Sequence, residues 1–185
     1  TFQNECAAIR IDDQLCKQGK GITLYSSFKQ NLKGDKIYTV FEDSEGDEWI
    51  LTNKGISIIG KKQVDSDFPF QYIKEADGII YLVSQSDKLA SYNFKTRQFK
   101  FIEIPYHVSM INEVKKFDSN TLLLATDNGL IIYKIKEKEF QLIDIRTSTQ
   151  PSNVVQSVYQ DHYKELWIFP QTTGVIRYNP STKQM

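Results

Sequence analysis

The chain has 185 residues, with 23 Lys+Arg against 23 Asp+Glu, and 40% of it is hydrophobic and 12% aromatic. That is too apolar for intrinsic disorder, and the chain is long enough to bury the core of one or two small domains. A net charge of zero argues against a general nucleic-acid binder, and no apolar run approaches the roughly 20 residues that span a bilayer.

Taken in chain order, the predicted elements are short strands. Ala7–Asp12 and Ile22–Tyr25 read as the last two strands of a unit whose beginning is missing. Cys6 and Cys16 lie around the first of them. They either bridge neighbouring strands in an oxidising compartment or stay as two free thiols, and the sequence leaves both open. There is no four-ligand Cys/His cluster for a structural zinc, and no cofactor is implied. No signal peptide is recognisable, so the chain is soluble as given or cut from something longer.

Internal similarity is the most informative feature. Phe41-Glu-Asp-Ser-Glu-Gly-Asp-Glu-Trp49-Ile50 aligns without a gap on Tyr159-Gln-Asp-His-Tyr-Lys-Glu-Leu-Trp167-Ile168. A third copy is degenerate, with Glu75, Gly78 and Tyr81 standing for Asp43, Gly46 and Trp49. In a fourth, Thr126-Asp-Asn-Gly129 repeats Thr52-Asn-Lys-Gly55, which puts Leu123 at the Trp position. The anchors Trp49, Tyr81, Leu123 and Trp167 are separated by 32, 42 and 44 residues, a period suited to stacked β units.

Each unit divides into four strand signals. Phe70–Lys74, Ile79–Val83, Leu89–Phe94 and Phe99–Ile104 are joined by hairpin-length polar turns. Ile111–Phe117, Leu122–Thr126, Leu130–Ile135 and Phe140–Ile145 repeat the scheme. No helical period survives these turns, so no helix longer than about two turns is expected. Four short antiparallel strands per roughly 40 residues are the blade of a β-propeller. The middle strands read as continuous apolar runs, as they must when covered on both faces.

The predicted fold is therefore all-β, a propeller of about four four-stranded blades that is an incomplete piece of a larger one. Residues 1–30 end a preceding blade, and 36–66, 69–104, 110–146 and 153–185 are successive blades. Asp43 caps the first hairpin's amides and Gly46 supplies its positive φ. Trp49 and Trp167 are expected at equivalent positions on second strands, both largely buried.

The pattern from Phe41 to Ile56, hydrophobic–x–Asp–x–x–Gly–x–x–Trp–Ile–x–Thr–x–x–Gly–hydrophobic, resembles the two-component regulator propeller repeat. The last copy, ending Gly174-Val-Ile-Arg-Tyr-Asn-Pro, is similar to it but carries Lys164 for the glycine and Pro170 for the threonine. The middle copies lack the Trp. Such repeats are similar to those of the extracytoplasmic sensor region of hybrid two-component histidine kinases in Bacteroides-like bacteria. The resemblance implies a periplasmic, non-catalytic segment of an inner-membrane sensor. It also implies an oligosaccharide ligand, a homodimeric parent, no nucleic acid and no membrane contact by the segment itself.

Two other functions compete. One is a protein-interaction scaffold. The other is a propeller lyase, which needs a convergent acid/base set on one face. His107 lies in a blade-to-blade loop and His162 in a first hairpin, on opposite faces, so the two should not cooperate. Loops between blades and second-to-third-strand hairpins share one face, and sugar recognition wants an aromatic platform beside forked donors and acceptors. Phe68, Tyr106, His107 and Arg146 are the ligand-binding candidates on that face.

Overall fold

The computed structural model describes residues 7–11, 22–26, 32–60, 64, 66–76, 78–84, 86–93, 95–96, 98–172 and 174–185. Among them every regular element is a β-strand. Cys6 and Cys16 lie outside the described residues. The chain forms two compact units, Thr1–Ile73 and Lys74–Met185.

In the first unit β1 (Ala7–Ile11) pairs antiparallel with β2 (Ile22–Ser26). A second sheet holds β3 (Ile37–Glu42), β4 (Glu48–Thr52) and β5 (Gly55–Ile59) in sequence order. Strand β4 is buried almost throughout, with Trp49, Ile50 and Leu51 at full burial. This follows from its unbroken apolar run: a central strand covered on both faces has no solvent side for a polar residue.

Strand β6 (Tyr72–Ala76) opens a four-stranded sheet with β7 (Ile79–Val83), β8 (Leu89–Asn93) and β9 (Gln98–Ile102). The next sheet runs β10 (Ile111–Asp118), β11 (Thr121–Thr126), β12 (Gly129–Lys134) and β13 (Glu139–Ile143). The last has β14 (Val155–Gln160), β15 (Leu166–Pro170) and β16 (Ile176–Tyr178). All pairings in these sheets follow chain order, as in propeller blades.

Packing in the second unit is sheet on sheet. Leu123, Ala125, Leu130, Ile132 and Ile143 on one face of the third blade join Val155, Val158, Leu166, Ile168 and Tyr178 of the fourth in one buried cluster. The opposite face of the third blade presents Tyr133, whose ring meets Tyr81 of the second edge-on at 6.3 Å. The two inner strands are cross-linked where Asn112 Nδ2 donates to the Val155 carbonyl at 2.8 Å.

The two Trp-containing hairpins are chemical copies. Asp43 Oδ1 accepts from the Glu45 and Asp47 amides, and its Oδ2 accepts the Trp49 indole N–H. Asp161 does the same for the Tyr163 and Glu165 amides and for Trp167. The second hairpins are copies too: Thr52 Oγ1 donates to the Gly55 carbonyl and Thr126 Oγ1 to that of Gly129.

Trp49 is fully buried, and Trp167 keeps a minor part of its surface exposed. Strand alternation turns Leu166 and Ile168 toward the third blade and Trp167 to the other side. There the guanidinium of Arg177 lies 5.9 Å from its ring, and Tyr159 and Phe169 are exposed. Lys164, the departure from the glycine pattern, leaves the hairpin intact. Its φ is 67°, against 84° at Gly46, and its amide donates to the Asp161 carbonyl just as Gly46's does to Asp43.

Candidate functional site

Antiparallel order fixes which segments share an end of a sheet: the hairpin between the second and third strands lies at the end where the chain enters and leaves the blade. In the second unit this brings the 105–110 loop, the Asp127–Asn128 hairpin and the 144–153 loop side by side. Asp127 accepts the Ser109 amide on both carboxylate oxygens and donates its own amide to the Met110 carbonyl. Asn128 Nδ2 donates to the His107 carbonyl at 2.9 Å.

From there the bonding continues through two amide side chains. Asn153 Nδ2 donates to Asn128 Oδ1 at 3.0 Å, and Asn153 Oδ1 accepts the Ile145 amide at 2.9 Å. The Gly129 amide donates to the Asn153 carbonyl. Gly129 has a φ of 99°, and a Cβ there would lie 2.6 Å from the Ile143 carbonyl oxygen. The hairpin can approach the neighbouring connection this closely only without a side chain. Asn153 is itself buried, so the inner links of the relay are sheltered, while the link from Asn128 to His107 lies at the surface.

The four candidate residues fall differently on this frame. His107 is exposed, and its backbone carbonyl is the first member of the relay. Arg146 is exposed and follows the relay's last member, Ile145. Its guanidinium grips Asp144 through Nε at 2.9 and 3.1 Å and through Nη2. This pairing lowers the Asp144 carboxyl and raises the Arg146 guanidinium from their ordinary values. Three of the five guanidinium N–H donors reside on Nη1 and the second hydrogen of Nη2, which leaves a fork for a ligand.

Tyr106 is half-buried and its hydroxyl donates to the Phe140 carbonyl at 3.0 Å, so it ties its loop to the outer strand β13. Phe68 belongs to the first unit. It is half-buried, with its ring 4.8 Å from that of Phe70. His107 and Arg146 thus share one hydrogen-bonded frame, and Tyr106 joins the same loop as His107. The amides that do the joining, Asn128 and Asn153, were not among the candidates. Asn128 sat inside the repeated Thr-x-x-Gly turn, where its turn role hid the longer-range one.

His162 is placed in the β14–β15 hairpin, at the other end of its sheet, with its ring 3.7 Å from Tyr163. Among the described residues no group of three His, Cys, Asp or Glu side chains is placed to hold a metal ion. No helix among them is long and apolar enough to cross a membrane.

No family model matches the chain. Among curated proteins it is similar to histidine kinase P4 of Formosa agariphila, with 22% identity over 156 residues, 84% of this chain and 9% of that protein. Among solved structures it is similar to the extracellular domains assigned to two hybrid two-component systems of B. thetaiotaomicron. One matches with a TM-score of 0.67 and 21% identity over 92% of this chain and 24% of that one. The other has 0.66 and 19% over 87% and 24%. Virginiamycin B lyase of Staphylococcus aureus gives a TM-score of 0.66 at 15% identity, covering 99% of this chain and 74% of that enzyme.

Sheets and likenesses together define the class: an all-β chain of β-propeller blades. The two-component resemblance carried by Phe41–Ile56 recurs in both the sequence and the structure comparison. The chain spans less than a tenth of the curated relative and about a quarter of the two extracellular domains.

Proposed function

We propose that this chain is part of the extracytoplasmic, periplasmic sensor region of a hybrid two-component regulator. In this reading it recognises an oligosaccharide, and a homodimeric parent passes the signal to a histidine kinase. The observation that carries the reading is the relay from His107 through Asn128 and Asn153 to Ile145. It holds loops from sequence-distant places in one hydrogen-bonded frame, so that exposed His107 and Arg146 are presented on a preorganised surface, which lowers the cost of binding. The likeness to extracellular domains of hybrid two-component systems supports the sensor role, and the match to a histidine kinase supports the signalling output.

The lyase likeness supports a different reading. A lyase would need its acid/base groups on one face, whereas His107 and His162 lie at opposite ends of their sheets. A thermal-shift screen of the full-length protein against plant and host oligosaccharides tests the sensing reading. A rise in melting temperature with one glycan class, without turnover, is the expected result. Cleavage of the glycan favours the lyase, and no shift with any class favours the scaffold.

A further inference from the structure

A groove of about 610 Å³ opens between the outer strands of the second and third blades. Its origin lies in the strand register. Each blade has a rung that starts at the Trp-position residue and crosses to the third strand. The partners are Ile58 opposite Trp49, Ile132 opposite Leu123 and Arg177 opposite Trp167. In the second blade the partner of Tyr81 is Ser91. A long side chain is missing at that one rung, and the missing volume is part of the groove.

The lining has a definite chemistry. Phe140, half-buried, forms the aromatic floor, and Tyr133, stacked on it at 4.3 Å and 18°, is buried beneath together with Tyr81. Phe101, half exposed, stands at the lip. Lys100 continues the Ser91 rung on β9, and Lys136 and Lys138 come from the β12–β13 turn, against the single carboxylate of Glu103. No ion pair engages Lys100 or Lys138 among the described residues. Lys138 is held in the turn with a φ of 57°.

A cationic rim over an aromatic floor selects a ring that carries negative charge: the floor packs on the ring's apolar face and the ammonium groups take the anion. The volume lies within the roughly 300–1,000 Å³ range of small-molecule sites. We propose that this groove is a ligand site for an acidic saccharide unit. The ring would sit against Phe140 and Phe101, and its carboxylate would lie between Lys100 and Lys138. The choice of a saccharide rests on the sensor reading above, while the groove, its charge and its origin at Ser91 do not.

The test is direct binding of digalacturonate to the full-length protein by calorimetry, with lactose as the neutral control. Saturable digalacturonate binding at least tenfold tighter than lactose is expected, weakening as salt is raised. Ser91→Ile fills the notch and should cut that affinity at least tenfold while keeping or raising the melting temperature. If Ser91→Ile fails to fold, the exposed pair Lys100→Glu and Lys138→Glu decides, with the same loss expected. Equal binding of both sugars, no binding, or affinity unmoved by these variants overturns the proposal. Binding that depends on Ser91 supports the groove whether or not the kinase responds, so the two readings fail separately.

Discussion

Asp43 accepts the indole N–H of Trp49 at 2.7 Å, and its other carboxylate oxygen holds two amides of the hairpin between them. One carboxylate thus closes the turn and satisfies the only polar atom of the blade's largest buried side chain. The same six-residue relation between Asp161 and Trp167, at 2.9 Å, shows why Asp and Trp recur together in the repeat. An amide in place of the carboxylate can serve only one of the two duties.

Asp43→Asn should therefore cost about 1–3 kcal/mol, the range for leaving a buried hydrogen-bonding group unmatched. Trp49→Ala should cost about 3–5 kcal/mol. The double variant should cost less than the sum, because both remove the same bond. Chemical denaturation of the four proteins measures this, and strict additivity would mean the bond contributes nothing.

Asp161 gives a pH signature. Its carboxyl is lowered from the ordinary value chiefly by the bond from Trp167. A group whose folded value is depressed contributes stability that is complete above the unfolded value, near 4, and is lost as pH falls through the folded value. Melting temperature should accordingly drop in acid more steeply for the natural chain than for Asp161→Asn. Parallel acid limbs would contradict the assignment.

At position 164 the hairpin needs a left-handed residue, and lysine occupies it at φ 67°. Lys164→Gly removes the steric cost of that conformation, while glycine's larger unfolded-state entropy offsets part of the gain. A net stabilisation of up to about 1 kcal/mol is expected. Gly46→Lys at the matching position should destabilise by a similar amount, and the two melting curves can be compared directly.

The fold was legible because its signals are local. Thr52 and Thr126 cap two-residue turns that end in glycine, and the apolar runs of β4, β7 and β11 mark strands covered on both faces. Less local features were not legible. How deeply Trp167 is buried depends on what packs on its side of the sheet, and both tryptophans carry the same local motif. The Ser91 notch appears only when the register sets it opposite Tyr81. The relay joins Asn128 to Asn153 across 25 residues through side chains whose types are ordinary in turns.

That relay predicts a separable effect. Asn153→Ala would strip the Ile145 amide of its partner in a buried setting, at about 1–3 kcal/mol. It should also loosen the 144–153 loop, seen as faster amide hydrogen exchange at Ile145 and Gly129 than in the outer strand β9. Exchange unchanged at both amides would show that the frame does not depend on Asn153.

In the function proposed above, the loop face reads an oligosaccharide for a kinase. The most direct measurement is autophosphorylation of the full-length protein in membranes as a function of glycan concentration, for the natural chain and for Arg146→Ala. Arg146 is exposed and hydrogen-bonds its neighbour Asp144, so its loss should leave the fold intact. A response to one glycan class, with a half-maximal concentration at least tenfold higher in Arg146→Ala at equal melting temperature, is the expected result. Superimposable dose–response curves, or phosphorylation indifferent to every glycan, would contradict it.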